Sequence, residues 1–122
     1  MGDQNVQMTR QPVFDPQDLE RFLVSREIKG DVEGMVALYE PAALIDVGGG
    51  QLVQGTEAIR KFYAQVIVSG RKYQLGTQQA PLVTGDLALT STRVPDGTIT
   101  AEVARRQSDG TWLWVIDRFS VT

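Results

Sequence analysis

The spacing of apolar residues changes from a helical period to a period of two at about Gly70. Before that residue, apolar side chains recur every three or four positions in three stretches, which predicts three helices. After it, alternating residues predict strands over about 71–80, 81–93, 98–107 and 111–121. Helices followed by an antiparallel meander favour an α+β fold with the helices packed on one face of the sheet.

Capping residues set the ends of the first two helices. The first is predicted over residues 16–29, between a capping Asp15 and a terminating Gly30. Asp31 can cap the second helix, which the proline at Pro41 ends. The second helix would bury Val32, Met35, Val36 and Tyr39.

A short hairpin separates the second helix from the third. Residues 43–47 and 51–54 flank three consecutive glycines, a composition typical of a turn between two strands. Thr56 then caps the third helix. Its apolar stripe consists of Ile59, Phe62, Tyr63 and Val66.

Size and charge narrow the possible partners. A chain of 122 residues with 42% hydrophobic content suits one domain, predicted over residues 14–122, after a polar flexible segment at residues 1–13. A net charge of −3 argues against nucleic-acid binding, which needs clustered Lys and Arg. No apolar stretch approaches the roughly 18 to 20 residues that cross a bilayer, so we expect a cytoplasmic protein without membrane contact.

The chain contains neither Cys nor His, and this excludes several kinds of chemistry. Without them there is no thiol nucleophile, no Ser-His pair and no imidazole to hold zinc or iron. We therefore expect no cofactor, and proton transfer near neutral pH would fall to Asp, Glu, Tyr or Lys with a shifted pKa. A Mg²⁺ or Ca²⁺ ion held by carboxylates and water stays open.

The turn signals bring two carboxylates together. A tight turn at Asp109-Gly110 places Glu102 opposite Asp117, with Cβ atoms about 4.5 to 5.5 Å apart. Two like charges at that separation raise one pKa, which allows one acid to donate a proton and the other to accept one. The preceding hairpin places Leu89 opposite Glu102 and puts Arg93 on the same face, where it would steady an oxyanion or form a structural network without turnover.

Alternation along the last strand puts Trp112, Trp114 and Ile116 on the face opposite to Asp117. We expect this aromatic face to form a homodimer interface edged by Arg105 and Arg118. In the alternative arrangement the tryptophans form the internal core and the acids point to water, because a slip of one residue exchanges the faces of a strand.

Three segments carry a family resemblance: GDVEGMVALYEP at 30–41, GTEAIRKFYAQV at 55–66 and ARRQSDGTWLWVIDRFS at 104–120. Together they resemble the NTF2-like superfamily, in particular its ketosteroid-isomerase-like and SnoaL-like branch. The resemblance implies a cone-shaped, cystatin-like α+β domain in which three N-terminal helices pack on a curved, mostly antiparallel sheet around one pocket. Family members include enzymes, binding modules and dimerisation domains.

When the site residues of the ketosteroid isomerases are carried over to the matching positions of this sequence, only part of that site is present. The acid of a late strand falls on Glu102, whereas the first-helix tyrosine falls on Leu23, which cannot donate a hydrogen bond. The proton-moving aspartate falls on Val47, one residue past Asp46. These departures argue against steroid isomerisation. Supporting hydroxyl positions fall on Tyr39 and Tyr63.

Two functions fit these observations. The first is a cofactor-independent isomerase, cyclase, lyase or hydrolase for a small apolar carbonyl compound, with Glu102, Asp117 and Arg93 as catalytic residues. The alternative is a non-catalytic dimer that binds a small apolar molecule or serves as an accessory domain. In either case we expect the pocket to be lined by Phe22, Leu23, Leu38, Tyr39, Phe62, Tyr63, Val66 and Phe119.

Overall fold

The computed structural model describes residues 10–121, and within them the chain forms three helices and eight strands. The helices are α1 (Asp18–Ile28), α2 (Val32–Val36) and α3 (Thr56–Ser69). The strands are β1 (Tyr39–Gly48), β2 (Gln51–Gln54), β3 (Thr77–Gln78), β4 (Leu82–Thr84), β5 (Leu87–Thr90), β6 (Thr92–Arg93), β7 (Ala101–Arg106) and β8 (Trp112–Arg118). The predicted α+β fold is confirmed.

The helix starts follow local hydrogen bonding. Asp31 caps α2 as predicted, since its Oδ1 accepts the N–H of Gly34 at 3.0 Å. A Cβ at Gly34 would lie 2.1 Å from Asp31 Oδ2, so only glycine fits beneath this cap. The predicted cap at Thr56 is wrong: Thr56 is the first helical residue, and Gly55, at φ 88°, takes the capping position.

The second helix is shorter than predicted. It ends at Val36, and Tyr39 begins β1 rather than completing a helical face. Pro41 lies inside β1, in the stretch where pairing with β8 is irregular. A proline is tolerated there because it has no N–H to donate to a regular ladder.

The main sheet has the strand order β2-β1-β8-β7-β5-β4, and β3 pairs with β6 in a separate ribbon. Only β1 and β8 run parallel, so the sheet is mostly antiparallel, as predicted. Of the predicted strand at 71–80, only Thr77–Gln78 is paired. The helices cover one face of the sheet, and the largest buried apolar side chains lie between them: Leu19, Met35, Leu38, Ile45, Ile59, Tyr63 and Trp114.

A bulge in β8 decides which side chains face the helices. Glu102 pairs with Asp117, as predicted, but Ala104 pairs with Trp114, which leaves Val115 without a partner on β7. The extra residue keeps Trp114 and Asp117 on the same inner face. Strict alternation would have placed them on opposite faces.

The tryptophans therefore belong to the core. Trp112 is 5% exposed and Trp114 is 1% exposed, and both pack in the hydrophobic core beneath the helices. The predicted homodimer interface through Trp112 and Trp114 is wrong, because these side chains are already covered within one chain.

The β5–β7 register also differs from the prediction by one residue. Thr90, rather than Leu89, lies opposite Glu102, and Leu89 is exposed on the outer face. The turn before β7 is looser than a two-residue loop, since Arg93 bridges Ile99. Arg93 is consequently exposed and does not share the face of Glu102, so its predicted placement is wrong.

Residues 10–13 pack against the rest of the chain. Val13 is buried, and its carbonyl oxygen accepts the N–H of Trp112 at 2.8 Å. Arg10 forms an ion pair with Asp31. The predicted flexible segment therefore does not extend to residue 13, and residues 1–9 lie outside the described part of the chain. Between residues 10 and 121, no helix is both long and apolar enough to cross a membrane.

Candidate active site

One cavity of about 380 Å³ opens beside the C-terminal end of β8. Its walls come from α1, from the segment 71–74 and from the hairpin tip between β6 and β7. Four carboxyl groups line it: those of Glu20, Glu102 and Asp117 come from three different elements, and that of Asp96 lies at the exposed hairpin tip. The cavity thus combines titratable groups with apolar walls, which is the usual composition of a small-molecule site.

Asp117 is held by a chain of two phenols. Its Oδ2 accepts the hydroxyl of Tyr39 at 2.7 Å, and the hydroxyl oxygens of Tyr39 and Tyr63 are 2.6 Å apart. Because Tyr39 has a single hydroxyl proton, its donation to Asp117 requires Tyr63 to donate to Tyr39. Burial raises the pKa of both tyrosines well above 10, so both remain neutral phenols.

Only one of the two carboxylate oxygens of Glu102 has a hydrogen-bond partner of standard geometry among the described residues. Its side chain is 3% exposed, and its Oε1 accepts the hydroxyl of Thr90 at 2.7 Å. Thr100 lies near the same carboxyl and, with Thr90, opposes the rise in its pKa that burial causes. No hydrogen bond of standard geometry from any described residue reaches Oε2. A buried oxygen without a partner costs about 1–3 kcal/mol, so Oε2 is a natural contact for a ligand or water.

The pKa values of Glu20, Glu102 and Asp117 are coupled by their charges. Burial, followed by the charge of Glu102, raises the pKa of Asp117 well above its ordinary value. The same two causes raise the pKa of Glu20 to about 7. Such groups titrate as a coupled set, in which the loss of one proton makes the next harder to remove. With a pKa of about 7, Glu20 is present in both its protonated and its ionised form at neutral pH.

Tyr73 forms an aromatic wall of the cavity. Its ring meets Phe119 edge-on at 5.8 Å and Tyr63 edge-on at 6.4 Å between centroids. Both carboxylate oxygens of the fully buried Glu27 accept the backbone N–H of Tyr73, at 2.8 and 3.1 Å. The Tyr73 hydroxyl is buried and has no partner among residues 10–121, and burial raises its pKa, so it remains a proton donor.

Of the side chains predicted from the sequence to form the site, Glu102, Asp117, Leu23 and Phe119 line the cavity. Tyr39 and Tyr63 lie one layer behind, where they support Asp117. Phe22, Leu38, Phe62 and Val66 pack in or against the core instead of lining the cavity, and Arg93 is exposed away from it.

Asp46 also lies outside the cavity. It is next to Val47, where the family resemblance would place a proton-moving aspartate. Its carboxylate accepts from Arg118 at 3.2 Å, and its strand neighbour Ile45 is the residue that points into the core. Asp46 therefore belongs to the outer face of the sheet.

Sequence reasoning missed Glu20 and Tyr73. Glu20 lies three residues before Leu23 on the inner side of α1, and Glu27 follows four residues after Leu23. Two acids that recur on the apolar side of a helix were a usable signal, because such positions normally carry apolar residues. Tyr73 had no such signal, since it lies in an irregular segment.

The carboxyl groups of the cavity are suited to proton transfer. Across the described residues, no three acidic side chains converge closely enough to hold a metal ion. Protonated and ionised carboxyl groups in one cavity can donate and accept protons.

No family model and no curated protein matches this sequence. Solved structures do resemble it. An uncharacterised protein with a cystatin-like fold from Caulobacter vibrioides aligns with a TM-score of 0.71 and 15% identity, over 87% of this chain and 86% of that one. A candidate dehydratase of the NTF2-like family from Streptomyces avermitilis aligns with a TM-score of 0.65 and 18% identity, over 82% of this chain and 88% of that one.

This chain has the NTF2-like fold. A third structure shows how varied the uses of that fold are. A candidate calcium/calmodulin-dependent protein kinase type II association domain from Thiobacillus denitrificans aligns with a TM-score of 0.66 and 16% identity, over 88% of this chain and 96% of that one. Because NTF2-like structures include both a candidate enzyme and a candidate association domain, the fold does not choose the function.

Proposed function

We propose that this NTF2-like protein is a cofactor-independent acid–base enzyme that acts on a small carbonyl compound, as a SnoaL-like isomerase, cyclase, lyase or hydrolase would. The observation that carries the proposal is the environment of Asp117. This carboxyl group is 4% exposed, is held by the Tyr39–Tyr63 pair and lies opposite Glu102 in a cavity. A structural carboxylate would be expected to have a cationic partner, and no salt bridge joins Asp117 to a described residue.

Asp117 is the proton donor in this proposal. When it is protonated, Oδ2 can keep accepting from Tyr39 while Oδ1 carries the proton. Such a neutral carboxyl group can donate to a carbonyl oxygen or to a departing hydroxyl group. Donation of this kind stabilises the negative charge that develops on oxygen in the transition state.

Glu20 and Glu102 supply the base. A pKa of about 7 leaves Glu20 half ionised at neutral pH, which suits a group that must accept a proton. In a dehydration, the base takes a proton from the carbon next to a carbonyl, the C–O bond of the neighbouring hydroxyl group breaks, and Asp117 protonates the departing oxygen to give water. In an isomerisation, the proton returns to a different carbon. Arg93 has no part in either step, because it does not reach the cavity.

Proton abstraction can be tested without knowing the substrate. Small ketones and β-hydroxy carbonyl compounds would be incubated with the protein in D₂O, and NMR would follow deuterium exchange at the carbon next to the carbonyl. We expect Asp117→Asn and Glu102→Gln each to lower the exchange rate by about 10²–10⁴-fold. Asp86→Asn, at an exposed carboxylate, is the matched control and should change nothing. Full activity in both cavity variants would overturn the proposal.

A non-catalytic binding domain is the second candidate, and the apolar side chains of the cavity favour it. Leu23, Val94 and Phe119 offer a surface for an apolar molecule whether or not the acids react. In that case Asp117→Asn and Glu102→Gln would keep ligand affinity, and the wild-type protein would catalyse no exchange.

We also propose that two copies associate through the outer face of the sheet. The register aligns an apolar row across five strands, formed by Leu82, Leu89, Val103, Ile116 and Leu44. Ile116, which lies between Val103 and Leu44 in this row, is 48% exposed, and the core tryptophans lie on the other face. Light scattering should show a dimer for the wild type and a monomer for Ile116→Lys, whereas Val68→Lys on the exposed side of α3 should remain dimeric. A monomeric wild type would contradict this assembly.

A further inference from the structure

The mouth of the cavity carries two cations that form no salt bridge with any residue the structure describes. Arg71 and Lys72 line the cavity and are exposed. Within residues 10–121 neither forms a salt bridge, whereas Arg60, Arg105 and Arg106 all pair with acids. Both cations lie near enough to the carboxyl group of Glu27 to oppose the rise in its pKa that burial causes, but no salt bridge holds them, so a ligand can still contact them.

These cations lie on an anchored segment. The next residue, Tyr73, is fixed by the buried carboxylate of Glu27, and the N–H of Arg71 donates to Ser69 Oγ at 3.3 Å. The guanidinium carbon of Arg71 also lies 5.1 Å from the centroid of the Tyr73 ring. Anchoring at both ends holds the two charges beside the cavity.

One acid shares the mouth with these two cations. Asp96, at the exposed tip of the hairpin, accepts the N–H of Thr98 at 2.8 Å, and this bond lowers its pKa. The mouth thus has two positive charges and one negative charge. The acids deeper in the cavity have raised pKa values, which lowers the negative charge that an entering anion would meet.

The middle and the floor of the cavity differ from its mouth. Apolar side chains of Leu23, Val94 and Phe119 lie among its walls. Deeper in, Glu102 Oε2 and the Tyr73 hydroxyl are buried without partners in the described chain. A molecule with an anionic end, an apolar body and an oxygen at its far end would satisfy all three zones.

We propose that the ligand of this cavity is a small organic acid whose carboxylate binds Arg71 and Lys72, while an oxo or hydroxyl group reaches Glu102 and Tyr73. The position given to the oxo or hydroxyl group rests on the proposed function. Binding of the carboxylate does not rest on it, because that binding depends only on Arg71 and Lys72 at the mouth of the cavity.

The test uses the full chain and two probes of nearly equal shape, cinnamate and its neutral amide, cinnamamide. NMR titration at pH 7 should show cinnamate binding at least about tenfold more tightly than cinnamamide, since two charge contacts near a surface each contribute a few-fold. The double variant Arg71→Gln, Lys72→Gln should remove most of that difference, as should about 0.5 M NaCl. The double variant Lys29→Gln, Lys61→Gln removes the same charge from exposed sites outside the cavity and should bind cinnamate as the wild type does.

Three outcomes would overturn the inference: equal affinity for the two probes, no binding of either, or equal weakening of cinnamate by both double variants. Phenyl phosphate serves as a third probe. If this dianion binds more tightly than cinnamate, the anionic group that the mouth recognises is a phosphate and not a carboxylate. Glu102→Gln and Asp117→Asn separate this inference from the proposed function. If they keep both cinnamate binding and full proton exchange, the acid ligand stands and the catalytic roles fail.

Discussion

The two halves of strand β8 share one face of the sheet but serve opposite purposes. Trp112 and Trp114 in the first half are packed under the helices, and Tyr39 lies against Trp114 with ring centroids 5.0 Å apart. In the second half the inward positions are Asp117, at the cavity, and then Phe119 just past the strand. A single unpaired residue, Val115, separates the halves.

The difference shows how one strand can join a stable core to a reactive cavity. The tryptophans bury a large apolar area, which is the main source of stability. The buried acids work against stability whenever they ionise, because desolvation disfavours a carboxylate. The free energy gained by burying Trp112 and Trp114 therefore has to offset the cost of the buried acids in the second half of the strand.

The largest expected effect tests the bulge itself. Deletion of Val115 should preserve the fold, because Ile116 then follows Trp114 and Asp117 still points inward. Deletion of Leu113 should abolish cooperative unfolding, because either Trp112 or Trp114 must then turn outward. Far-UV circular dichroism during urea denaturation would compare the two. Equal tolerance of both deletions would contradict the role given to Val115.

The next effect compares one aromatic side chain from each region. Trp114→Ala should lower the free energy of unfolding by about 3–5 kcal/mol, because it leaves a cavity in the packed core. Phe119→Ala should cost less, about 1–2 kcal/mol, because that ring is only partly buried and borders an existing cavity. Urea denaturation measures both, and an equal loss would show that the two regions are equally packed.

A third effect concerns pH. The pKa of Glu20 rises from 4.5 to about 7 in the folded chain, so the folded state binds the extra proton between those values. The free energy of unfolding should therefore fall as pH rises from about 4.5 to 7, by an amount on the order of 3 kcal/mol. Glu20→Gln should flatten this part of the curve. A wild-type stability that increases over the same interval would show that Glu20 is not desolvated.

The smallest effect compares two phenols. Tyr63→Phe removes the donor to Tyr39 and should cost about 0.5–1.5 kcal/mol, the usual value for one hydrogen bond. Tyr73→Phe removes a hydroxyl that has no partner in the described chain, so it should leave stability unchanged or slightly increased. Thermal unfolding of the two variants gives the comparison, and a greater loss for Tyr73→Phe would reveal a partner for its hydroxyl.

Periodicity and capping were enough to predict the α+β fold and the approximate helix positions, and the turn signal at Asp109-Gly110 predicted the Glu102–Asp117 pair. They failed wherever strict alternation was interrupted. Trp114 and Asp117 are three residues apart, an odd spacing that alternation assigns to opposite faces, and only the bulge reconciles them. The exposed position of Arg93 follows from a turn one residue longer than assumed.

The site was harder to predict than the fold. Glu20 reaches the cavity from a helix and Tyr73 from an irregular segment, and no local pattern relates these residues to β7 or β8. Their positions depend on tertiary contacts, such as the hold of Glu27 on Tyr73. Chain periodicity carries no information about such contacts.

The contact between Tyr39 and Trp114 gives the cavity an optical reporter. Tyr39 donates its hydroxyl to Asp117 while its ring packs against the indole of Trp114. A change of charge on Asp117 therefore alters the electric field at a fluorophore only one side chain away. We therefore expect the emission of Trp114 to respond to the protonation of this buried acid without any added label.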